Sequence, residues 1–190
     1  IDNKNKKFKT SFYYSFNYKK DRNYDRIIFI LNKRQKLIYN DVRKFGFIKF
    51  IQRASLEQNA HLKHLGPEPM SAKFNIGYFK DYTTGKERNI KNILMDQKFI
   101  SGLGNIYVNE ILFLSGVKPV KKIKKLTDVE IKKIIKFTKK IISKAIKLGG
   151  SSIRNFSSSS GKKGSFQQHF SVYGRKGEKC LNKNCDEVIS

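Results

Sequence analysis

The pattern of apolar and polar positions changes character near Ser55. Before that residue, apolar side chains alternate with polar ones or form short β-branched runs, which is typical of strands. Polar turns at 19–23 and 32–35 indicate that the strands form antiparallel hairpins. The predicted strands are residues 8–16, 26–31, 36–40 and 45–51.

Helical periodicity takes over after the run Gly66-Pro67-Glu68-Pro69, which cannot continue a helix. Residues 55–65 are predicted to form a short helix before this run, and we expect the chain to change domain here. From the run onward, the chain is predicted to be mainly helical up to Gly149.

The clearest single element is a helix over residues 127–148. Thr127 and Glu130 have the spacing of a capping box at its start, and Gly149-Gly150 closes it. One face of this helix is apolar, which predicts contact with a core. The other face fits either a solvated surface or contact with DNA, because it carries Lys132, Lys133, Lys136, Lys139, Lys140, Lys144 and Lys147.

Residues 96–119 are predicted to form a helix, a glycine-hinged turn and a second helix that ends at Gly116. The turn is residues 101–104, Ser-Gly-Leu-Gly, and Asn105 stands where a helix N-cap is expected. A helix N-terminus offers unpaired N–H groups to an anion, so this element is a candidate phosphate site. An ordinary helical hairpin starts in the same way, and the spacing alone leaves that alternative open.

The segment 151–164 is rich in Ser and Gly, too polar to pack, and predicted to be a loop. It is either a flexible linker or a loop that closes over a ligand. Residues 166–173 are predicted to form a strand, followed by a turn at 174–177 and two cysteines, Cys180 and Cys185. Two cysteines this close together argue against a disulfide framework.

The charge of the chain narrows the class of partner. Its 190 residues include 41 Lys and Arg against 15 Asp and Glu, a net charge of +26. A chain with this much positive charge usually binds a polyanion, and nucleic acid is a better candidate than an anionic membrane. No stretch reaches the ~20 apolar residues of a membrane span, and the first residues lack the apolar core of a signal peptide. We therefore expect a cytoplasmic protein that does not bind membranes.

Four motifs follow one another along the chain: DVRKFG at 41–46, LGPEPMS at 65–71, the glycine-hinged segment at 94–119, and the stretch from GGSSIR to VYGRKGEKC at 149–180. In this order they resemble the DPRRFG, LGPEPL-S, helix–two-turn–helix and GGTTLRD to VYGR-GEPC motifs of bacterial formamidopyrimidine-DNA glycosylases. The matches cover nearly the whole chain, and jointly they are specific.

The resemblance implies an α+β fold and a bifunctional enzyme of base excision repair. Members of this family remove oxidised purines, such as 8-oxoguanine and formamidopyrimidines, from duplex DNA and act as AP lyases. Duplex DNA with oxidised bases or abasic sites is the implied partner, and a monomer is the implied state. The expected divisions are a partial β-rich domain (1–53), a linker (54–72), a helix–two-turn–helix domain with a lesion-recognition loop (73–165) and the start of a zinc finger (166–190).

The family's catalytic groups have no counterpart in this chain. Members begin with a proline whose α-amine attacks C1′ of the damaged nucleotide, whereas this sequence begins Ile1-Asp2. The second cysteine pair of the zinc finger would follow Ser190. We therefore expect an internal fragment that keeps DNA-binding parts, contains no catalytic residue and is inactive alone.

The resemblance assigns DNA contacts to eight residues. Arg43 would enter the gap left by an everted nucleotide and bond the orphaned cytosine, while Phe45 would wedge beside it. Without the resemblance, the simpler interpretation is that Arg43 is a surface charge and that Phe45 is a core aromatic. The other six would contact the DNA backbone: Tyr24, where the family often has a histidine, Lys86, Lys91, Asn105, Tyr173 and Arg175.

The loop at 154–164 resembles the one that closes over everted 8-oxoguanine, which the related endonuclease VIII shortens. Cys180 and Cys185 are identified as half of a structural zinc site, with one Zn²⁺ per full-length chain and four residues between the two thiols. Two thiolates do not complete a tetrahedral site, so we expect this chain alone to bind zinc poorly. The candidate lesion-recognition residues are Arg154, Ser160, Gly161, Lys162 and Gly164.

A non-enzymatic nucleic-acid-binding module is the competing interpretation, because ribosomal proteins also carry helix–two-turn–helix segments and strong positive charge. The motifs at 41–46 and 65–71 favour the glycosylase.

Overall fold

The computed structural model describes residues 22–32, 35–41, 43–151, 164–182 and 184–189. Within these ranges the fold is α+β, as expected, with two antiparallel strands ahead of four α-helices. No helix in the described ranges is long and apolar enough to cross a membrane.

The two strands form the predicted hairpin. β1 (Asp25–Asn32) pairs with β2 (Gln35–Asn40), and Ile28 lies opposite Ile38 in the register. The predicted strand at 8–16 falls outside the described residues. The predicted strand at 45–51 is wrong, because a strand needs a neighbouring backbone and no described residue pairs with this segment.

The helical region follows residue 65. Its helices are α1 (Ile76–Thr83), α2 (Ile90–Leu94), α3 (Asn105–Ser115) and α4 (Asp128–Lys147). Short 3₁₀ turns occur at Arg22–Tyr24, Arg53–Ser55, Ile123–Lys125 and Phe166–His169.

The signals at the ends of α4 work as predicted. The Thr127 hydroxyl accepts from the Glu130 N–H, and the Glu130 carboxylate accepts from the Thr127 N–H, which completes the capping box. Gly149 follows the helix with φ 73°, a left-handed conformation that suits glycine. Gly116 ends α3 in the same conformation, with φ 69°.

One apolar core holds the helical region together. Phe99 lies at its centre, fully buried, and its ring contacts those of Phe79, Tyr78 and Tyr82 at centroid distances of 5.1, 5.7 and 4.9 Å. The apolar face of α4 packs into this core, as its periodicity predicts. The α4 residues buried there are Ile131, Ile134, Thr138, Ile141 and Ala145.

Three predicted elements differ from the structure. Residues 55–65 form turns instead of a helix, because their leucines, such as Leu62, stay exposed and bury no apolar face. The helix predicted to start at Asp96 is not formed, and residues 96–104 form turns. The helix that precedes the turn is α2, which ends at Leu94. The strand predicted at 166–173 is a 3₁₀ turn, because Phe166 packs into the helical core.

Candidate nucleic-acid interface

The turn before α3 is held by a side chain that was not predicted from the sequence. Gln97 Oε1 accepts from the Gly102 N–H at 2.7 Å, and Gln97 Nε2 donates to the Leu103 carbonyl at 2.8 Å. Gly102 has φ 82°, which explains the need for glycine. The signal available in the sequence was a polar residue placed just ahead of the two glycines.

The LGPEPMS segment packs directly on this turn. The Gly66 N–H donates to the Gln97 carbonyl at 2.8 Å, and the Ser101 N–H donates to the Pro67 carbonyl at 3.1 Å. A Cβ on Gly66 would collide with the backbone of Phe99, so no larger residue fits there. Two motifs that are about 30 residues apart in sequence therefore build one rigid support for the start of α3.

The N-terminus of α3 differs from the prediction. Gly104, not Asn105, is the N-cap, and no side chain caps the first N–H groups. Asn105 is instead the first residue of the helix, exposed, with its Oδ1 3.4 Å from Asn109 Nδ2. No acidic residue lies in the first turn of α3, so the positive end of the helix dipole is not neutralised from within the helix.

The two lysines assigned to phosphate contacts both belong to the helical region. Lys86 Nζ sits 3.9 Å from the centroid of the Tyr82 ring and also donates to the Tyr82 carbonyl, so its ammonium is held against the surface. Lys91 lies in α2, half-buried, and its N–H donates to the Pro119 carbonyl at 3.3 Å.

Asp96 anchors the other side of the turn through an ion pair with Arg88 at 2.8 Å. Burial raises the pKa of Asp96, but hydrogen bonds from the Arg88 guanidinium and the Lys98 N–H outweigh it and leave the pKa below its usual range. The carboxylate therefore stays ionised and keeps the turn in place at neutral pH.

The tip at 41–46, which we call the hairpin tip, is organised by one carboxylate. Asp41 accepts from the N–H groups of Arg43 and Lys44 at 3.0 Å each and from that of Gly46 at 2.9 Å. The hydrogen bond from Gly46 is the largest effect on the pKa of Asp41, and the pKa falls below its usual value. The Tyr39 hydroxyl also donates to the Asp41 carboxylate. A Cβ on Gly46 would collide with that hydroxyl.

Arg43 and Phe45 project from this tip. The Arg43 guanidinium carbon lies 4.8 Å from the centroid of the Phe45 ring, and Phe45 is 78% exposed. Tyr24 lies directly beside this segment, at the end of the hairpin where β1 begins and β2 ends, and its carbonyl accepts from the Asp41 N–H at 2.9 Å. The structure thus brings Arg43 and Phe45 into one protruding unit, while Lys86, Lys91 and Asn105 belong to the helical region.

A buried glutamate on α3 links the helical region to the C-terminal segment. Glu110 is 2% exposed, and its carboxylate accepts from three successive N–H groups, those of Ser171, Val172 and Tyr173, at 2.7, 3.0 and 2.9 Å. This anchoring role was not predicted from the sequence. No signal within α3 itself indicates it, because Glu110 follows another polar residue, Asn109.

Tyr173 and Arg175 follow directly from this anchor. Arg175 donates to the Ser171 carbonyl at 2.8 Å and pairs with Glu178 at 2.8 Å, so its guanidinium stabilises its own turn. Tyr173 stacks edge-on against Phe170, with ring centroids 5.6 Å apart. The predicted DNA contacts of both residues stay predictions.

The stems of the predicted lesion-recognition loop lie side by side. The Phe166 N–H donates to the Gly150 carbonyl at 3.1 Å, and a Cβ on Gly164 would collide with the backbone of Gly149 and Gly150. The close approach therefore requires a glycine at 164, whereas Gly149 and Gly150 are favoured by their left-handed φ values of 73° and 81°. Four candidate residues, Arg154, Ser160, Gly161 and Lys162, lie outside the described residues.

Cys180 and Cys185 face one another across a turn, within hydrogen-bonding reach. The Asn182 N–H points at Cys180 Sγ, 3.5 Å away. A backbone hydrogen bond at Glu187 lowers the pKa of Cys185, but the Cys180 thiol and burial outweigh it and raise the pKa. No group of three or more metal-binding side chains occurs in the part of the chain that the structure describes.

The fold and the turn before α3 define a helix–two-turn–helix protein. The domain model described as the formamidopyrimidine-DNA glycosylase H2TH domain matches residues 65–157. The chain belongs to the formamidopyrimidine-DNA glycosylase family, as the resemblance predicted.

Relatives and solved structures agree on this family. The chain is 36% identical over 175 residues to the formamidopyrimidine-DNA glycosylase of Rhodopseudomonas palustris strain HaA2, covering 89% of this chain and 60% of the relative. It is 34% identical over 166 residues to the enzyme of Ruegeria pomeroyi, covering 87% and 59%. The chain thus spans about three fifths of the length of these curated relatives.

The crystal structure of the MutM (Fpg) protein from Thermus thermophilus superposes with a TM-score of 0.79 at 29% identity, over 89% of this chain and 63% of that one. The Lactococcus lactis Fpg in complex with DNA containing an abasic site superposes with a TM-score of 0.71 at 39% identity, over 78% and 54%.

Proposed function

We propose that this chain supplies the DNA-binding parts of a DNA glycosylase and AP lyase of base excision repair, which removes oxidised purines from duplex DNA. The observation that carries this proposal is the hairpin tip, where Asp41 presents Arg43 and Phe45 together to solvent. An enzyme that acts on a base must take it out of the stack, and the gap must then be filled. A guanidinium lying over an exposed aromatic ring fits that gap in size, flatness and hydrogen-bonding capacity.

The support around α3 fits the DNA backbone. The uncapped N–H groups at the start of α3 and the amide of Asn105 suit a phosphate oxygen. Lys86 and Lys91 supply positive charge on the same region. These groups position a strand without reading its sequence.

Oxidised purines are the substrate class that the relatives favour. Solved structures similar to this chain include a Lactococcus lactis Fpg mutant with DNA containing Fapy-dG and MutM with DNA containing carbocyclic 8-oxo-G, at 39% and 38% identity. Both DNA molecules carry an oxidised purine. We extend that substrate class to this chain because the hairpin tip and the glycine stems of the predicted lesion-recognition loop accompany the family match.

Zinc, oligomeric state and location complete the proposal. Cys180 and Cys185 would supply two of the thiolates for one structural Zn²⁺, whose role is to fix the fold of the C-terminal hairpin. We propose a monomer that acts in the bacterial cytoplasm, where the nucleoid lies. The high positive charge supports a nucleic-acid partner.

The test uses the full-length protein on two DNA substrates. Arg43→Ala and Phe45→Ala are assayed on duplex containing 8-oxoguanine opposite cytosine and on the same duplex with a preformed abasic site. We expect excision of 8-oxoguanine to fall by at least ~10-fold more than cleavage at the abasic site, since expelling a stacked base costs a few kcal/mol. Arg53→Ala, an exposed arginine outside the tip, is the matched control and should leave both rates unchanged.

Equal losses on both substrates would contradict the gap-filling role. Absence of excision by the unaltered full-length protein, together with tighter binding to structured RNA than to duplex with an abasic site, would favour the ribosomal type of module.

A further inference from the structure

The outer face of α4 carries an unusual array of charge, which we call the lysine face. It comprises seven lysines: Lys132, Lys133, Lys136, Lys139, Lys140, Lys144 and Lys147. Six of them are exposed and Lys139 is half-buried. At 100° per residue, all seven fall within one side of the helix, opposite the buried stripe that includes Ile134 and Ile141. The array is therefore continuous and turned away from the core.

The charge of this face is not neutralised within the described residues. α4 contains two acidic residues, Asp128 and Glu130, both in its first turn. They pair with Lys80 and Lys121 at 2.7 Å each, so neither is directed at the lysine face. The ion pairs of the described residues include none of the seven lysines.

The spacing of the charges fits a polyanion with regular charge. From Lys132 to Lys147 the helix rises about 22 Å at 1.5 Å per residue. Duplex DNA carries one negative charge per ~1.7 Å of its axis, so a basic rod of this length can lie along several successive phosphates. Lys132, Lys136, Lys140 and Lys144 form one i,i+4 row along the rod, and all four are exposed.

We propose that the lysine face of α4 is a second binding surface for duplex DNA, distinct from the start of α3 and independent of sequence. The choice of duplex DNA rests on the proposed function. Lysine supplies a point charge without the bidentate geometry that arginine uses to read bases, which suits contact with phosphates alone. The surface would hold undamaged DNA while the hairpin tip searches for a lesion.

Two other kinds of partner fit less well. Protein interfaces are depleted in lysine, and this face has no aromatic anchor at its centre. A helix that lies in a membrane interface needs a free apolar face, whereas the apolar face of α4 is buried in the core. Val129 and Ile146 are the large apolar residues of α4 that stay exposed, at 62% and 69%.

The experiment replaces the exposed row and compares it with a charge-matched control. The row variant is Lys132→Gln, Lys136→Gln, Lys140→Gln and Lys144→Gln, which retains good helix formers. The control variant changes four exposed lysines elsewhere, Lys36, Lys63, Lys73 and Lys118, to glutamine. Affinity of the native protein and both variants for an undamaged duplex is measured by fluorescence anisotropy across a salt series.

We expect the row variant to bind the duplex at least ~10-fold more weakly at 0.1 M salt. Its slope of log K against log[salt] should be less steep by about 3, because each phosphate that is no longer neutralised removes about 0.9 from the slope. The control variant should change the slope by less than ~1. Equal slopes for the two variants would overturn the proposal. Weaker binding of the row variant to vesicles containing phosphatidylserine, with its DNA slope unchanged, would also overturn it and would favour a membrane surface.

Single-turnover excision at saturating protein separates this inference from the proposed function. The row variant should excise 8-oxoguanine at the unaltered rate once bound, because none of its lysines belongs to the hairpin tip. If the unaltered full-length protein excises nothing, the proposed function fails, while the salt slopes still decide whether the lysine face binds DNA.

Discussion

The helical region and the hairpin tip are ordered by different forces. In the helical region, Phe99 is fully buried and surrounded by other aromatic rings, and the stability comes from apolar surface removed from water. In the tip, Phe45 is 78% exposed, and the backbone is shaped by hydrogen bonds to the Asp41 carboxylate. The first region is held by burial and the second by polar contacts open to solvent.

This difference separates what a mutation does in each place. Loss of a buried group in the helical region lowers the free energy of unfolding of the whole region, because the core is shared among its helices. Loss of a solvent-exposed hydrogen bond in the tip changes its shape with little global effect, because such bonds contribute little and open locally. Function at the tip can therefore be removed while the protein stays folded.

The largest expected effect is at the centre of the core. Phe99→Ala removes a fully buried ring and should lower the free energy of unfolding by about 3–5 kcal/mol. Urea unfolding followed by circular dichroism measures this change. Phe45→Ala, the same substitution at the exposed tip, should change it by less than ~0.5 kcal/mol. Similar losses at both positions would mean that the tip is part of the cooperative core.

The next effect is at Glu110, which joins α3 to the C-terminal segment. Glu110→Gln replaces one accepting oxygen with a donor that faces the N–H groups of 171–173, so at least one buried N–H loses its partner. We expect the free energy of unfolding to fall by about 1–3 kcal/mol.

Hydrogen exchange reads out where the Glu110 effect occurs. The N–H groups of Ser171, Val172 and Tyr173 should exchange faster in the variant. The exchange rate of the Ile134 N–H, in the core of α4, should rise only as far as the lower free energy of global unfolding accounts for. Unchanged exchange at 171–173 would contradict the anchoring role.

A smaller effect is expected at the N-cap of α4. Thr127→Ala removes the hydroxyl that accepts from the Glu130 N–H and should lower the free energy of unfolding by about 1 kcal/mol. Thr127→Ser keeps the hydroxyl and should restore most of the loss in the same urea experiment. If the serine variant were as unstable as the alanine variant, the capping box would not be the cause.

The sequence predicted most accurately the elements whose signals are local. The capping box, the periodicity and the closing glycines of α4 lie within one segment, and the structure has this helix at Asp128–Lys147. The turn before α3 was predicted by its glycines, but the N-cap was assigned to Asn105 instead of Gly104. Side-chain identity favoured asparagine there, whereas the backbone geometry of the turn determines where the helix starts.

The parts that the sequence did not predict depend on distant partners. Residues 166–173 alternate like a strand, but three of their N–H groups are taken by Glu110, about 60 residues earlier. Nothing within α3 itself indicates that Glu110, which follows Asn109, accepts these hydrogen bonds. On spacing alone, a surface charge and a core aromatic was the simpler interpretation of Arg43 and Phe45; their roles on DNA come from the family resemblance and stay predictions.

The smallest expected effect on global stability is at Asp41, whose effect is local and depends on pH. The pKa of Asp41 lies below its usual value because the tip's N–H groups, that of Gly46 foremost, donate to the ionised carboxylate. A carboxyl group with a lowered pKa supports the folded arrangement fully above its ordinary pKa, and that support is lost as the pH falls through the lowered value. The tip should therefore keep its shape at all pH values above the usual aspartate value of ~3.9 and lose it only in stronger acid.

A single fluorophore can follow this change, because the chain contains no tryptophan. Phe45→Trp places a reporter on the tip, and its emission should shift with a midpoint below pH ~3.9. Adding Asp41→Asn, which imitates the protonated group, should produce the shifted emission already at neutral pH. Circular dichroism recorded in parallel tests whether the helices are still folded at that point. An emission midpoint at or above the ordinary aspartate value, or identical emission with and without Asp41→Asn at neutral pH, would show that Asp41 does not organise the tip.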